Sequence, residues 1–431
     1  MRRCEMYKLV VRLMVLLALG IGLAACQGEE GAPTTPTLGA PSRLKTDHGV
    51  TDTEIKIGST GGKSGGYTLG IPFQTGMEAY FKKVNQEDGG VCRRKITFIG
   101  EDDQGTAALA LDRARKLVEQ DDVLALNSFR TTAVMGAASY LNDPDGNGDT
   151  SDGVPYLWTV GGASETAEKL SRWPWGPIQI NPLYLDSGKA IAEVINRMFS
   201  GAKVSILFQN DDFGRESVAG FKAAFKGIVV AEQAHDPNAP DVGGQLAVLR
   251  AASPDLLVIA SSGRFMPQVY RYREGQGWPV KVVWLYPYGG SAVLVQAVGG
   301  TDPAGQERAL RLINGTIVGQ FLLDPFADRN DPAMREHMRI LNTYGGGYQA
   351  NEYTLVGQAA AEALVETLKR ACDRGDMTRK GVLQAAESLA GFHPSVFKPG
   401  VTIETSPTRH VGAVKMFVGE IQPDGTIKAL Q

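Results

Sequence analysis

Glycines, a lysine and hydroxyls crowd the stretch Gly58-Ser-Thr-Gly-Gly62-Lys63-Ser64, which follows an apolar β-type run and precedes a helical one. Its chemistry would be phosphate binding, with backbone N–H groups and a lysine around the anion. The spacing excludes a P-loop, because the first glycine must precede the glycine of G-K-S by five positions and here it precedes it by four. Gly62-Lys-Ser64-Gly-Gly66 also has the form G-x-S-x-G, the elbow that presents a serine nucleophile. In that architecture the elbow comes after strands that build an oxyanion loop, whereas this one follows the first strand. The five histidines (His48, His235, His337, His393, His410) fall in no triad or metal-ligand spacing. An exported serine hydrolase is therefore the weakest function class carried forward. A flexible loop over a ligand cleft is the simpler reading, since glycine lets a backbone approach a ligand closely.

Other groups suit binding better than turnover. Asn127-Ser-Phe-Arg-Thr131-Thr132-Ala133 lies where a strand run turns into a helix. Helix N-termini carry unpaired N–H groups and attract carboxylates, and the two threonine hydroxyls add donors. Ordinary N-capping by threonine accounts for the same residues without a ligand. Asp143, Asp145, Asn147, Gly148 and Asp149 follow the first half of a calcium loop, but position 12 is Val154 rather than a bidentate glutamate. A solvated acidic turn is the preferred reading, with a stiffening Ca2+ as the alternative and no other cofactor expected. Tyr286-Pro-Tyr288-Gly-Gly directly follows a strand run, where open α/β sheets place their sites.

The elements that position these groups alternate. Strand runs at 55–57, 96–99, 123–126, 204–208, 256–260 and 282–285 are separated by helical patterning, which predicts parallel sheets covered by helices on both faces. Between 107 and 118, Ala107, Ala110, Leu111, Ala114, Leu117 and Val118 share one helix face, with Asp112, Arg113, Arg115 and Lys116 turned outward. A helix over 73–84, an alanine-rich helix over 353–370 and a terminal hairpin from 412–418 and 426–429 complete the pattern.

At the other end of the chain, Arg2, Arg3, Lys8 and Arg12 precede a dozen apolar residues that close on Leu23-Ala24-Ala25-Cys26. That is a signal peptide over 1–25 with a lipobox, which predicts lipidation at Cys26 and a protein tethered outside the cytoplasmic membrane, facing periplasm or cell exterior. Residues 26–49 are rich in Gly, Pro and Thr and are expected to be a flexible spacer. Without residues 1–25, which hold four bases and one acid, 40 Lys+Arg face 46 Asp+Glu and the net charge is about −6. That balance argues against a nucleic-acid partner. Of the remaining cysteines, Cys92 and Cys372 predict one disulfide in an oxidising compartment, two separate thiols being the alternative.

The ordered series I-K-I-G-S-T (55–60), F-Q-T-G-M-E-A-Y (73–80), G-G-V-C-R-R-K-I (89–96), D-D-Q (102–104), K-L-V-E-Q-D-D-V (116–123) and Q-N-D-D-F-G (209–214), behind a lipobox and spacer, resembles the type I periplasmic binding proteins of the leucine/isoleucine/valine-binding kind. The resemblance implies an α/β fold of two Rossmann-like lobes joined by three crossovers, near 179–182, 317–325 and 410–415. Lobe 1 would take 50–180 with 325–409 and lobe 2 would take 181–324 with 410–431, which puts both cysteines in lobe 1. It further implies a solute-binding subunit of an ABC importer rather than an enzyme, with permease subunits as partners. A ligand-sensing subunit that signals to a membrane receptor is the alternative. Ligand contacts carried over by the resemblance are Thr131 and Thr132, the Gly161–Ser164 loop (Gly161, Ala163, Ser164), Phe213, Ser262, Leu69 and Tyr348. Where amino-acid binders have an acid for the ammonium group, this chain has Tyr286. Either an acid from elsewhere serves, or the solute lacks a free amine.

Overall fold

The computed structural model describes residues 44–430 apart from 66, 67, 301 and 414. Cys26, the leader and most of the expected spacer lie outside the described residues. Among these residues no helix is long and apolar enough to cross a membrane.

Lobe 1 is built on β2 (Glu54–Gly61), flanked in parallel by β3 (Lys95–Asp102) and β4 (Ala125–Ser128). Ile55 and Ile57 alternate inward on β2 and are fully buried, as the period-two pattern demands. Beyond β4 the sheet continues as single bridges, Leu126 to Tyr156, Thr159 to Gln179 and Gln179 to Val411. Helices α1 (Gly70–Glu87), α2 (Ala107–Glu119), α3 (Thr131–Asn142) and the short α4 (Ser164–Glu168) belong to this lobe.

In lobe 2, α5 (Tyr184–Met198), β5 (Lys203–Gln209), α6 (Asp212–Ala224), β6 (Ile228–His235), α7 (Gly243–Ala251), β7 (Leu256–Ala260), α8 (Met266–Gly275), β8 (Lys281–Trp284), α9 (Ser291–Gly299), α10 (Pro303–Ile313) and β9 (Ile317–Gln320) follow in order. The chain then returns to lobe 1 for α11 (Pro332–Tyr344), α12 (Glu352–Asp373), β10 (Asp376–Met377), α13 (Arg379–Ala386) and the β11 (Ala390–Phe392) and β12 (Ile403–Glu404) pair. It ends on lobe 2 with the hairpin β13 (Phe417–Ile421) and β14 (Ile427–Ala429), so the larger sheet runs β14-β13-β9-β8-β7-β5-β6. The β9-to-β6 part is parallel and the hairpin adds an antiparallel edge.

Both lobes use glycine to bring helices together. A Cβ on Gly76 of α1 would collide with the carbonyl oxygen of Thr354 in α12, and one on Gly357 with that of Phe73. Gly188 and Gly220 do the same between α5 and α6. Within lobe 1 the fully buried His337 of α11 bonds Gln358 (2.8 Å) and Thr354 (2.9 Å) of α12. Cys92 and Cys372 are joined, with Cα atoms 6.2 Å apart across 280 residues of chain. The last residues of the expected spacer are ordered: Lys45 and Thr46 form a strand, β1, parallel to β10, and Asp47 accepts from the Arg379 N–H at 3.0 Å.

Candidate solute-binding site

Strand β4 ends at Ser128, and Phe129 still bonds the sheet through its N–H to the Thr60 carbonyl. The chain then turns through Arg130, which holds φ at 94° and donates its N–H to the Val160 carbonyl at 2.6 Å. That turn aims the start of α3 out of the sheet edge. No side chain caps the helix, so its first N–H groups are offered outward. The Thr131 hydroxyl is buried beside the phenol of Tyr184, without a well-formed hydrogen bond. Burial pushes the Tyr184 phenol up in pKa, partly offset by that threonine. The resulting surface suits a carboxylate.

This helix start opens on a cavity of about 760 Å³ walled by both lobes. Its size is that of a small-molecule site. Leu69, Thr131 and Thr132 line it from lobe 1; Phe213, Ser262 and Tyr286 line it from lobe 2. Aromatic rings form a continuous course around it. Tyr184, Phe213, Tyr286 and Tyr288 follow one another at centroid spacings of 5.2, 5.5 and 5.5 Å. Tyr353 and Phe129 continue on lobe 1 at 6.3 and 5.8 Å, with the core residue Phe73 packed behind Phe129 at 4.9 Å. Such a wall favours a flat or bulky apolar solute body.

Ser262 is placed by the groups behind it. The carbonyl of the preceding Ser261 accepts from the indole of Trp284 (2.8 Å), and the Ser261 hydroxyl bonds His235 at 2.7 Å. Asp211 caps α6 by accepting from the Gly214 N–H at 3.1 Å, which brings Phe213 to the wall.

Four residues carried over by resemblance stand off the cavity wall. Gly161 packs behind it, where a Cβ would press on Thr131 at 3.0 Å, and donates its N–H to Asn181. Ala163 is buried, and its carbonyl accepts from Thr166. Ser164 reaches across to lobe 2, donating through N–H and hydroxyl to Glu216 at 2.7 and 2.9 Å. Tyr348 is exposed after a glycine-rich loop. The hydroxyl of Ser64 donates to Asp102 at 2.6 Å, with no histidine bonded to it, and Lys63 turns to the Gly100 carbonyl. Neither group is arranged for a nucleophile or a phosphate.

In the acidic turn, Asp143, Asp145 and Asp152 bring one oxygen each within 4.8 Å of one another. Asp152 takes the place in this cluster that the loop spacing assigns to Asn147 and Asp149. Asp149 instead caps the turn by accepting from the Ser151 N–H. Asn147 likewise spends its oxygen on the Asp149 N–H.

Sequence reasoning missed Glu352 and Tyr353 at the start of α12, both on the cavity wall. Asn351 caps that helix through the N–H groups of Tyr353 and Thr354, a capping box readable in Asn-x-x-Thr. Nothing in that pattern says the helix start faces a cavity. Glu352 is 8% exposed, and burial pushes its carboxyl up to about 8, with Asp324 adding to the rise.

The periplasmic binding protein family matches residues 54–426. No curated protein matches the chain. Among solved structures, a branched-chain amino-acid ABC transporter protein from Thermus thermophilus with bound valine is 19% identical with a TM-score of 0.72, covering 89% of this chain and 96% of that one. A fatty acid ABC transporter substrate-binding protein from Thermomonospora curvata is 19% identical, with a TM-score of 0.69 and coverage of 90% and 94%. A solute-binding protein of an ABC transporter from Rhodopseudomonas palustris BisB5, in complex with 3,4-dihydroxybenzoic acid, is 17% identical, with a TM-score of 0.68 and coverage of 87% and 96%. The chain belongs to the periplasmic binding protein family, a family of solute-binding proteins rather than enzymes, and has the type I fold of the leucine/isoleucine/valine-binding kind.

Proposed function

We propose that this protein is the extracytoplasmic, lipid-anchored solute receptor of an ABC importer, and that it captures a small carboxylate-bearing solute with a bulky apolar body. The observation that carries this reading is the uncapped start of α3 at Thr131 and Thr132, facing an aromatic-walled cavity to which both lobes contribute. The carboxylate docks on lobe 1 through the α3 N–H groups and the threonine hydroxyls. Lobe 2 then closes over it by hinge motion at the crossovers, bringing Phe213, Ser262 and Tyr286 onto the solute. Closure follows only from contacts that are better in the closed form. The solutes named for the three solved relatives (valine, a fatty acid and 3,4-dihydroxybenzoic acid) all carry a carboxylate, which supports the reading.

A thermal-shift screen of amino acids, short-chain acids and aromatic acids, followed by titration of the best binder, tests it. A solute at a hundred times its Kd adds about 2.7 kcal/mol of stability, which is readily seen. Thr131→Ala is expected to weaken binding of a carboxylate solute roughly tenfold. Unchanged affinity in that variant refutes the site. For the anchor, Cys26→Ser is expected to release the protein from membranes; retention in the membrane fraction refutes lipidation at that residue.

A further inference from the structure

We propose that Glu352 is the specificity-determining residue of this cavity, receiving a cationic amine on the solute while the Thr131 end holds the carboxylate. This deepens the function proposed above and rests on it.

Among the described residues three carboxylates line the cavity: Asp211, Asp212 and Glu352. Asp211 is engaged as the cap of α6 and accepts from Gln209 as well. Asp212 is exposed and pairs with Arg215. Glu352 differs from both. It is more than nine-tenths buried, and among the described residues no side chain hydrogen-bonds its carboxyl. It lines the main cavity and also a void of about 10 Å³ beside it, room for about one water. Its own backbone N–H is the one donor that eases the charge, and a buried acid held by a single neutral donor is costly to ionise. A cation arriving from the cavity would supply the partner.

Position 286 supports the assignment. The hydroxyl of Tyr286 is bound to that of Tyr353, the residue next to Glu352. The acid is thus presented beside the position where lobe 2 offers tyrosine, but from the facing lobe. Asp324, on the crossover behind Glu352, does not compete for the cation. Its oxygens accept from the N–H groups of Phe326, Ala327 and Ala292. Among the described residues the other charged groups on the cavity wall are Arg130, Arg264, Asp211 and Asp212. With its carboxyl pushed up to about 8, Glu352 is mostly protonated at neutral pH before the solute arrives. Pairing with an ammonium ionises it, so binding at pH 7 releases most of a proton.

Calorimetric titration of two matched triples provides the test: phenylalanine, 3-phenylpropionate and phenethylamine; leucine, 4-methylpentanoate and isopentylamine. Wild type is expected to bind at least one amino acid roughly 30-fold tighter than its deaminated acid, the range of a hydrogen bond to a charged group. Glu352→Gln is expected to erase that preference and leave the deaminated acid within about twofold, the scatter of a contact not made. Titration in buffers of different ionisation enthalpy should show the proton release in wild type and its loss in the variant, which a purely structural glutamate would not produce. Deaminated acids binding wild type as tightly as the amino acids, or a Glu352→Gln protein that keeps the preference, overturns the assignment and leaves the carboxylate reading standing. Amine binding without acid binding removes the Thr131 reading and retains Glu352. No binding by any member overturns both.

Discussion

The hydroxyl of Tyr286 on lobe 2 meets the hydroxyl of Tyr353 on lobe 1 at 2.6 Å. Behind it the indole of Trp284 stacks on the Tyr286 ring at 5.0 Å, which fixes the ring's plane. A bond between groups on separate lobes is lost when the lobes part. Tyr286→Phe and Tyr353→Phe should therefore each favour the open form by about 0.5–1.5 kcal/mol. Solution scattering should report a larger radius of gyration, and solute affinity should fall roughly three- to tenfold. The double variant should be no worse than either single one. Additive losses would show that the two hydroxyls act separately.

Glu216 makes a further contact across the lobes, accepting from the Ser164 N–H and hydroxyl. Burial raises its carboxyl pKa while the Ser164 donors pull it back. Glu216→Ala should speed solute release about five- to thirtyfold with little change in association, because hydrogen bonds to a charged group are lost from the closed form only. Stopped-flow tryptophan fluorescence separates the two rates. A change confined to association would refute this latch.

His337 ties α11 to α12 as a buried neutral ring, its pKa pushed down to about 4, chiefly by burial. The unfolded chain, with an ordinary histidine near 6.5, takes up a proton first as pH falls. The folded state is therefore progressively destabilised between pH 6.5 and 4, by about 3 kcal/mol in total, and the stabilising effect of the neutral ring is full above 6.5. Urea midpoints measured across that range should fall with acidification, and His337→Gln should flatten the slope. An identical pH profile in the variant would exclude His337 as the source.

At the α1–α12 crossing, Gly357→Ala forces a methyl group against the Phe73 carbonyl. The expected loss is about 1–3 kcal/mol, the cost of overpacking a close-packed contact. Gly220→Ala should behave alike between α5 and α6, where the Leu185 carbonyl stands in the way. Gly244→Ala in α7 meets nothing within 4 Å and should be neutral or slightly stabilising. Chemical denaturation of the three variants checks the ranking.

Much of this architecture is legible along the chain. The unbroken apolar run 256–260 is β7 from end to end, since a parallel strand covered on both faces carries no polar alternation. β6 gave no such signal; Ile228 is exposed and the strand lies at the sheet edge. The terminal hairpin forms around the expected turn, but its first strand starts at Phe417 rather than 412. At the cavity, Thr131, Thr132, Phe213, Ser262 and Tyr286 follow strand ends, where a site is looked for first. Glu352 and Tyr353 carry no such mark. They open a capped, alanine-rich helix, and only the return of the chain from lobe 2 brings that helix start to Tyr286. Tyr348 was placed by resemblance, yet Gly346 and Gly347 take positive φ and precede an exposed side chain.

The strand at Lys45–Thr46 has a mechanical consequence. With β10 beside it, Asp47 on the Arg379 N–H and His48 bonded to Asp122 at 2.7 Å, the chain is clamped to lobe 1 as soon as it enters the folded body. The clamp lies a few residues from Cys372, whose bond to Cys92 ties α12 to the segment before β3. Any pull on the chain ahead of Lys45 is therefore borne by lobe 1, the half that also holds the Cys92–Cys372 bond. Lobe 2 makes none of these three contacts and stays outside that line of force.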